Sequence, residues 1–63
     1  MKVTLQAARI NKGLKQKEAA DLIGVSVDTL ANYEKGITYP DVPIINKIEE
    51  VYEIKYSDIF FLP

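Results

Sequence analysis

The chain has 63 residues, 48% hydrophobic and 27% charged, which indicates one folded domain, residues 1–63, and excludes disorder and a membrane span. Its net charge is −1, and it has no cysteine or histidine, which excludes disulfides, thiolate or imidazole metal sites and the commonest catalytic bases. The first residues form no apolar secretory segment, so we expect a cytoplasmic protein. Together with the missing cysteine and histidine, this favours a binding module without cofactor or metal, and not an enzyme.

A first helix is predicted from Thr4 to about Lys12. Thr4 is a suitable N-cap, because its hydroxyl can accept a hydrogen bond from an amide of the first turn. Gly13 fits the left-handed residue that ends many helices. Leu5 and Ala8 are expected on the inner face of this helix.

Two further short helices are predicted on either side of Gly24. The second helix starts near Gln16, and Lys15 occupies its cap position, which forgoes about 0.5–2 kcal/mol of capping. The third helix is capped by Ser26, has Asp28 in its first turn and ends at Gly36. The second helix is expected to bury Ala19, Ala20 and Ile23.

This pair of helices predicts a helix-turn-helix. A glycine at position 24 allows a left-handed turn at low cost, and the small Ala20 allows two helices to cross closely. Leu30 and Tyr33 are three residues apart, so they share one face, which we expect to point inward. The opposite face, available to a DNA groove, is then formed by Val27, Asp28 and Asn32.

A fourth helix is predicted after a loop over residues 37–40. Asp41 is a good cap and Pro43 is tolerated in a first turn. Ser57 and Asp58 are expected to open a last helical turn, giving an all-α fold with five helices and no strand. The expected core stripe of the fourth helix is Val42, Ile45, Ile48 and Tyr52, and its expected solvated side is Glu49, Glu50 and Glu53.

Charge is distributed unevenly along the chain. Residues 1–39 contain six basic and four acidic side chains, a balance of +2, whereas residues 40–63 contain two basic and five acidic ones, a balance of −3. A weakly positive face can therefore meet a phosphate backbone while the acidic end points away.

Short motifs follow one another in order along almost the whole chain. They are Arg9, Gly13-Leu14 with Gln16, Glu18-Ala19-Ala20, Ile23-Gly24-Val25-Ser26, Tyr33-Glu34-Lys35-Gly36, Tyr39-Pro40 and Ser57-Asp58-Ile59-Phe60. Together they resemble the lambda repressor and Cro-type helix-turn-helix domains, the XRE family of transcriptional regulators. The end of the chain, with Phe60, Phe61 and Leu62, resembles short phage or prophage regulators. The resemblance implies a compact five-helix lambda-repressor-like domain, with helices 2 and 3 as the helix-turn-helix. It also implies a repressor that binds a palindromic operator as a dimer.

The resemblance also implies which residues contact the DNA backbone. Gln16 corresponds to a glutamine that hydrogen-bonds a phosphate, and the free amides at a helix start also attract anions. A surface polar residue is the alternative for Gln16, and a solvated position is the alternative for each lysine. The implied phosphate contacts are Lys15, Gln16, Lys17, Thr29 and Lys35.

Base contacts are implied at the start of the third helix, which enters the major groove in these domains. Asn32 can make a bidentate pair with adenine, Val27 can contact a thymine methyl, and Asp28 can accept from a cytosine amino group. Helix capping alone is the open alternative for Asp28. The full implied set is Ser26, Val27, Asp28 and Asn32.

Two further groups have structural roles, and the first of these roles is implied by the same resemblance. Arg9 and Glu34 are expected to form an ion pair that links the first and third helices. Dimerisation requires an apolar surface, and exposed apolar residues near the chain end are the candidates. These are Ile54, Tyr56, Phe61 and Leu62, with the alternative that Ile59, Phe60 and Leu62 only complete the core.

A second function stays open from the sequence alone. A small antitoxin or protein-interaction module would hold a protein partner through its acidic fourth helix or apolar tail, while the helix-turn-helix represses its own promoter. An enzyme is the weakest hypothesis, because no phosphate-binding glycine loop or converging acid pair is present.

Overall fold

Four α-helices form most of the protein, as seen in a computed structural model that describes residues 2–62. A three-residue 3₁₀ turn and two very short strands complete the described part of the chain. In chain order the elements are β1 (Val3–Thr4), α1 (Leu5–Asn11), α2 (Gln16–Ile23), α3 (Val27–Lys35), α4 (Val42–Tyr52), the 3₁₀ turn (Tyr56–Asp58) and β2 (Ile59–Phe60).

The helix boundaries follow from caps that the sequence specifies. Thr4 Oγ1 accepts from the Ala7 N–H at 3.1 Å, and Asp41 Oδ1 accepts from the Ile44 N–H at 3.2 Å. Lys15 has no side-chain acceptor, but its own N–H donates to Glu18 Oε1 at 2.8 Å. This contact is the reciprocal half of a capping box, so α2 recovers part of the missing cap.

The prediction of five helices and no strand needs two corrections. The fifth element is only a 3₁₀ turn, closed by the Asp58 N–H donating to the Lys55 carbonyl at 2.9 Å. The strands β1 and β2 pair in parallel, with Val3 opposite Ile59. Strands of two residues are too short to show any alternation in the sequence, and the β-branched Val3 and Ile59 favour the extended backbone.

The core lies where α1, α2, α3 and α4 meet, and Leu5, Leu30 and Ile48 are its largest fully buried side chains. The predicted core stripe of α4 is wrong at Val42, which is 68% exposed. Val42 is the first residue of α4, and the helix packs against the core mainly through later residues. The buried apolar residues are Leu5, Ala8, Ala19, Ala20, Ile23, Leu30, Tyr33, Ile48, Tyr52 and Ile59.

The acidic side of α4 is exposed at Glu50 and Glu53, as expected, and half-buried at Glu49. Glu49 Oε2 accepts from the Tyr56 N–H at 2.7 Å, so this carboxylate holds the start of the 3₁₀ turn. Glu53 ends α4 with a left-handed backbone, φ 52°, and forms an ion pair with Lys12. The hydrogen bond from Lys12 lowers the pKa of the Glu53 carboxyl. Glu50 remains on the exposed surface.

No helix within residues 2–62 has both the length and the apolar character needed to cross a lipid bilayer.

Candidate nucleic-acid interface

The turn between α2 and α3 has a defined backbone geometry. Gly24 ends α2 in the left-handed region, at φ 93° and ψ 28°. The N–H groups of Gly24 and Val25 both donate to the Ala20 carbonyl, at 2.8 and 3.0 Å. These bonds satisfy the end of α2 and direct the chain into Ser26, the cap of α3. Residues 24–26 therefore set the angle between α2 and α3.

One face of α3 is buried and the other is open. Leu30 is fully buried, and Tyr33 and Glu34 also point into the protein. The remaining predicted contact residues of α3 are exposed or half-buried. We call the following set the outer face of α3: Val27, Asp28, Asn32 and Lys35, of which Asn32 is half-buried and the other three are exposed.

The hydroxyls of Ser26 and Thr29 are coupled at the start of α3. Ser26 Oγ accepts from the Thr29 N–H at 3.1 Å and donates to Thr29 Oγ1 at 2.8 Å. Hydroxyls rotate, so one of the two donates to the other and the pair keeps one hydroxyl hydrogen that can donate to a ligand.

A buried polar cluster joins α1, α2 and α3. Arg9 Nε donates to Glu34 Oε2 at 2.7 Å and Arg9 Nη2 donates to Glu34 Oε1 at 3.3 Å. Arg9 and Glu34 are each only 8% exposed. Arg9 Nη1 also donates to the Leu14 carbonyl at 2.9 Å, and Gln16 Nε2 donates to Glu34 Oε1 at 3.0 Å. The two residues that the resemblance pairs thus form a forked ion pair, and Gln16 joins it, which the sequence did not indicate.

Tyr52 contributes an unusual group beside this cluster. Its hydroxyl is buried and has no hydrogen-bond partner among residues 2–62. Burial and the negative charge of Glu34 raise the pKa of Tyr52 to about 12, against a smaller opposing effect of Arg9. The sequence placed Tyr52 only in the apolar stripe of α4, since helical spacing says nothing about the neighbours of a hydroxyl.

The three predicted phosphate-contacting lysines are all exposed. Lys15 and Lys17 flank Gln16 at the start of α2, and Lys35 is the last residue of α3. Their ammonium groups can therefore contact a DNA phosphate without disturbing the protein core. Within residues 2–62 no group of three or more acidic side chains is arranged to hold a metal ion.

Near the chain end, three aromatic rings form what we call the aromatic cluster: Tyr39, Tyr56 and Phe61. The Phe61 ring lies 6.2 Å from Tyr39, edge-on, and 5.7 Å from Tyr56, measured between centroids. The Tyr39 hydroxyl donates to the Leu62 carbonyl at 2.8 Å. Tyr39, absent from the predicted dimer residues, therefore fixes the segment that contains two of them.

The exposure of the predicted dimer residues differs from expectation. Tyr56 is half exposed, but Ile54, Phe61 and Leu62 are half-buried. The alternative that Ile59, Phe60 and Leu62 complete the core holds for Ile59, which is 4% exposed, and is wrong for Phe60, which is 49% exposed. Alternation along β2 explains this difference, because successive strand residues point to opposite faces.

Comparison with known proteins agrees with this geometry. A family model described as helix-turn-helix matches residues 5–59, from the first residue of α1 into β2. The chain belongs to the XRE-type helix-turn-helix family. The matched span includes α2, the Gly24 turn and the outer face of α3, which together form the helix-turn-helix described above.

A relative from Bacillus subtilis (strain 168) has the name "Uncharacterized HTH-type transcriptional regulator YgzD". It is 31% identical to this helix-turn-helix chain over 62 residues, which is 98% of the chain and 94% of the relative. The similarity therefore extends over both proteins almost from end to end. Together, the family match and this relative support a DNA-binding regulator of transcription.

Proposed function

We propose that the protein is a repressor that recognises a palindromic DNA operator in the cytoplasm, binding as a dimer with α3 in the major groove. The observation that supports this most is the outer face of α3. Three of its four residues are exposed and Asn32 is half-buried, while the opposite face, with Leu30, Tyr33 and Glu34, is buried. A helix held in this way can enter a groove without any rearrangement of the core.

Base recognition is proposed for four residues at and after the start of α3. Asn32 is the principal base contact, because its carboxamide can pair with the N6 and N7 edge of adenine. Val27, 40% exposed, can contact a thymine methyl, and Asp28 can accept from cytosine. Ser26, exposed at the start of α3, can donate or accept through its hydroxyl.

Backbone recognition is proposed for Gln16, Thr29 and the three exposed lysines, Lys15, Lys17 and Lys35. Thr29 is suited to a phosphate because a hydroxyl can donate a hydrogen bond to a phosphate oxygen. The lysines supply sequence-independent attraction, which should appear as a dependence of affinity on salt concentration.

Dimerisation is proposed through Ile54, Tyr56, Phe61 and Leu62. Two copies related by a two-fold axis would place their α3 helices on half-sites one DNA turn apart, about 34 Å. The aromatic cluster supports this assignment, because Tyr39 holds Phe61 and Leu62 in place beside the exposed ring of Tyr56.

The test is selection of bound duplexes from a random DNA pool, followed by affinity measurements with the recovered sequence. We expect a two-fold symmetric sequence and an affinity that falls steeply as salt increases. Asn32→Ala should lower affinity about tenfold and relax the preference at one base position. Asn46→Ala, the same substitution at an exposed site on α4, is the matched control and should leave binding unchanged. Failure to bind any duplex at low ionic strength would refute the proposal.

A further inference from the structure

The contact between Gln16 and Glu34 joins the start of α2 to a carboxylate that already holds the ion pair between α1 and α3. Arg9 already links α1 to α3 through both oxygens of Glu34. Gln16 adds a third donor, 3.0 Å from Glu34 Oε1, although it lies half-buried at the first position of α2. A flexible glutamine at this place would otherwise be free to move in solvent.

We propose that Glu34 is a positioning residue that holds the Gln16 carboxamide ready to donate to a DNA phosphate. A carboxamide has two N–H hydrogens. Glu34 accepts one of them, which fixes the plane of the amide and leaves the second hydrogen for a ligand. The inference rests on the phosphate contact proposed above for Gln16 and assigns to Glu34 a part in DNA binding.

The charges of the cluster make this arrangement compatible with an anionic ligand. A carboxylate near a phosphate would normally repel it. Here the Glu34 carboxylate is neutralised by the forked contact with the Arg9 guanidinium, and both groups are nearly buried. Glu34 can therefore orient an amide without adding a net negative charge to the interface.

Pre-orientation also has an entropic consequence. A free glutamine side chain loses rotamer freedom when it binds, which weakens association. The Glu34 contact imposes that loss during folding, so the phosphate meets an amide that is already ordered. Removal of Glu34 should then lower affinity only where Gln16 is present to be oriented.

A purely structural role for Glu34 makes a different prediction. If Glu34 only sets the angle of α3 through Arg9, its loss weakens every contact of α3, whatever residue stands at position 16. The two roles are separated by a double-mutant cycle with Gln16→Ala and Glu34→Gln. In Glu34→Gln the amide oxygen that accepts from Arg9 Nε takes the place of Oε2. The new NH₂ group then takes the place of Oε1, where it faces Gln16 Nε2 and Arg9 Nη2 and can accept from neither.

The experiment measures affinity for the selected duplex, with each variant's melting curve recorded alongside. Gln16→Ala should weaken binding about tenfold, the effect of losing one hydrogen bond to a charged group. Glu34→Gln should weaken binding of the otherwise unaltered protein and have no further effect in the Gln16→Ala background. An equal loss in both backgrounds, or full affinity in Gln16→Ala, would overturn the inference while leaving DNA binding itself established. Glu50→Gln, on the exposed side of α4, is the matched control and should bind normally.

A second measurement decides the question if Glu34→Gln does not fold. In the unaltered protein, NMR can follow the side-chain amide hydrogens of Gln16, with the exposed Gln6 as internal reference. One Gln16 hydrogen should exchange with water more slowly than those of Gln6 before DNA is added, and the other should become protected on binding the duplex. Exchange of both Gln16 hydrogens as fast as those of Gln6 in the free protein, or no further protection on adding the duplex, would overturn the inference.

Discussion

The Arg9 guanidinium and the Glu34 carboxylate meet at 2.7 Å across two helices, α1 and α3, in a position almost closed to solvent. A buried ion pair of this kind makes the loss of one partner costly, because the other charge is left without compensation. The pair also holds the last turn of α3, which contains Glu34. The fold and the proposed DNA interface therefore depend on the same contact.

Arg9→Ala is expected to lower the free energy of unfolding by about 3–5 kcal/mol, enough to unfold much of a domain this small. Urea or thermal unfolding measures the effect. Lys12→Ala is the control, because it breaks an ion pair with Glu53 that lies on the surface, where such pairs contribute little. A melting temperature unchanged in Arg9→Ala would contradict the assignment of a structural ion pair.

Gly24→Ala is expected to destabilise the protein by about 1–2 kcal/mol through backbone strain alone. Gly24 has φ 93°, and an added Cβ would meet no atom within 4 Å, so no steric clash contributes. Gly13→Ala is the matched comparison, since Gly13 has φ 74° and equally open surroundings. Denaturant unfolding should show similar losses for the two variants. A much larger loss at Gly24 would mean that the turn is constrained by more than its backbone angle.

Tyr52→Phe is expected to leave stability near neutral pH unchanged or raised, because the hydroxyl that it removes is buried without a partner. Thermal melts near pH 7 measure this. Tyr39→Phe is the control, because it removes a hydroxyl that donates to Leu62 and should be mildly destabilising. A clear loss of stability in Tyr52→Phe would show that the hydroxyl has a partner, such as a bound water.

The same tyrosine should make stability fall at alkaline pH. The pKa of Tyr52 is raised from 10.0 to about 12 in the folded protein, so the folded state keeps a proton that the unfolded state releases. Its contribution is complete below pH 10 and is lost as the pH rises from about 10 to 12. Burial and Asp41 raise the pKa of Tyr33 as well, so Tyr52→Phe should reduce this alkaline loss without abolishing it. Unfolding curves recorded from pH 8 to 11 test the difference in slope, and identical slopes would contradict it.

Tyr56→Glu is expected to convert the proposed dimer into monomers, because it places a charge within the apolar surface near the chain end. Sedimentation analysis measures the mass with and without the selected duplex. Phe60→Glu is the control, since Phe60 is exposed to a similar extent but lies outside the proposed interface. If Tyr56→Glu sediments like the unaltered protein, or if Phe60→Glu alone dissociates, the interface is wrongly placed.

The four helices could be predicted because their ends are specified locally. Thr4, Ser26 and Asp41 act as caps through their own side chains, and Gly24 is required by a left-handed backbone. The inward and outward faces of α3 follow from helical spacing in the same way. These signals need only neighbours in sequence, so they are visible without coordinates.

Features that depend on distant residues could be predicted only where the family resemblance supplied them, as for the ion pair of Arg9 with Glu34. The β1–β2 pair joins residues more than fifty positions apart, and a two-residue strand has no periodic pattern. The Gln16–Glu34 contact joins α2 and α3 through one carboxylate oxygen. The Tyr52 hydroxyl lacks a partner because of the residues that pack against α4, and the sequence of α4 does not specify them. Glu18 is an exception, because its place three residues after Lys15 is a capping-box signal that was available in the sequence.

Parallel pairing of Val3 with Ile59 sets the segment before α1 beside the segment that follows the 3₁₀ turn. Each of these strands has the other as its partner in the two-stranded sheet, so trimming the residues before Leu5 would also release Ile59 and Phe60.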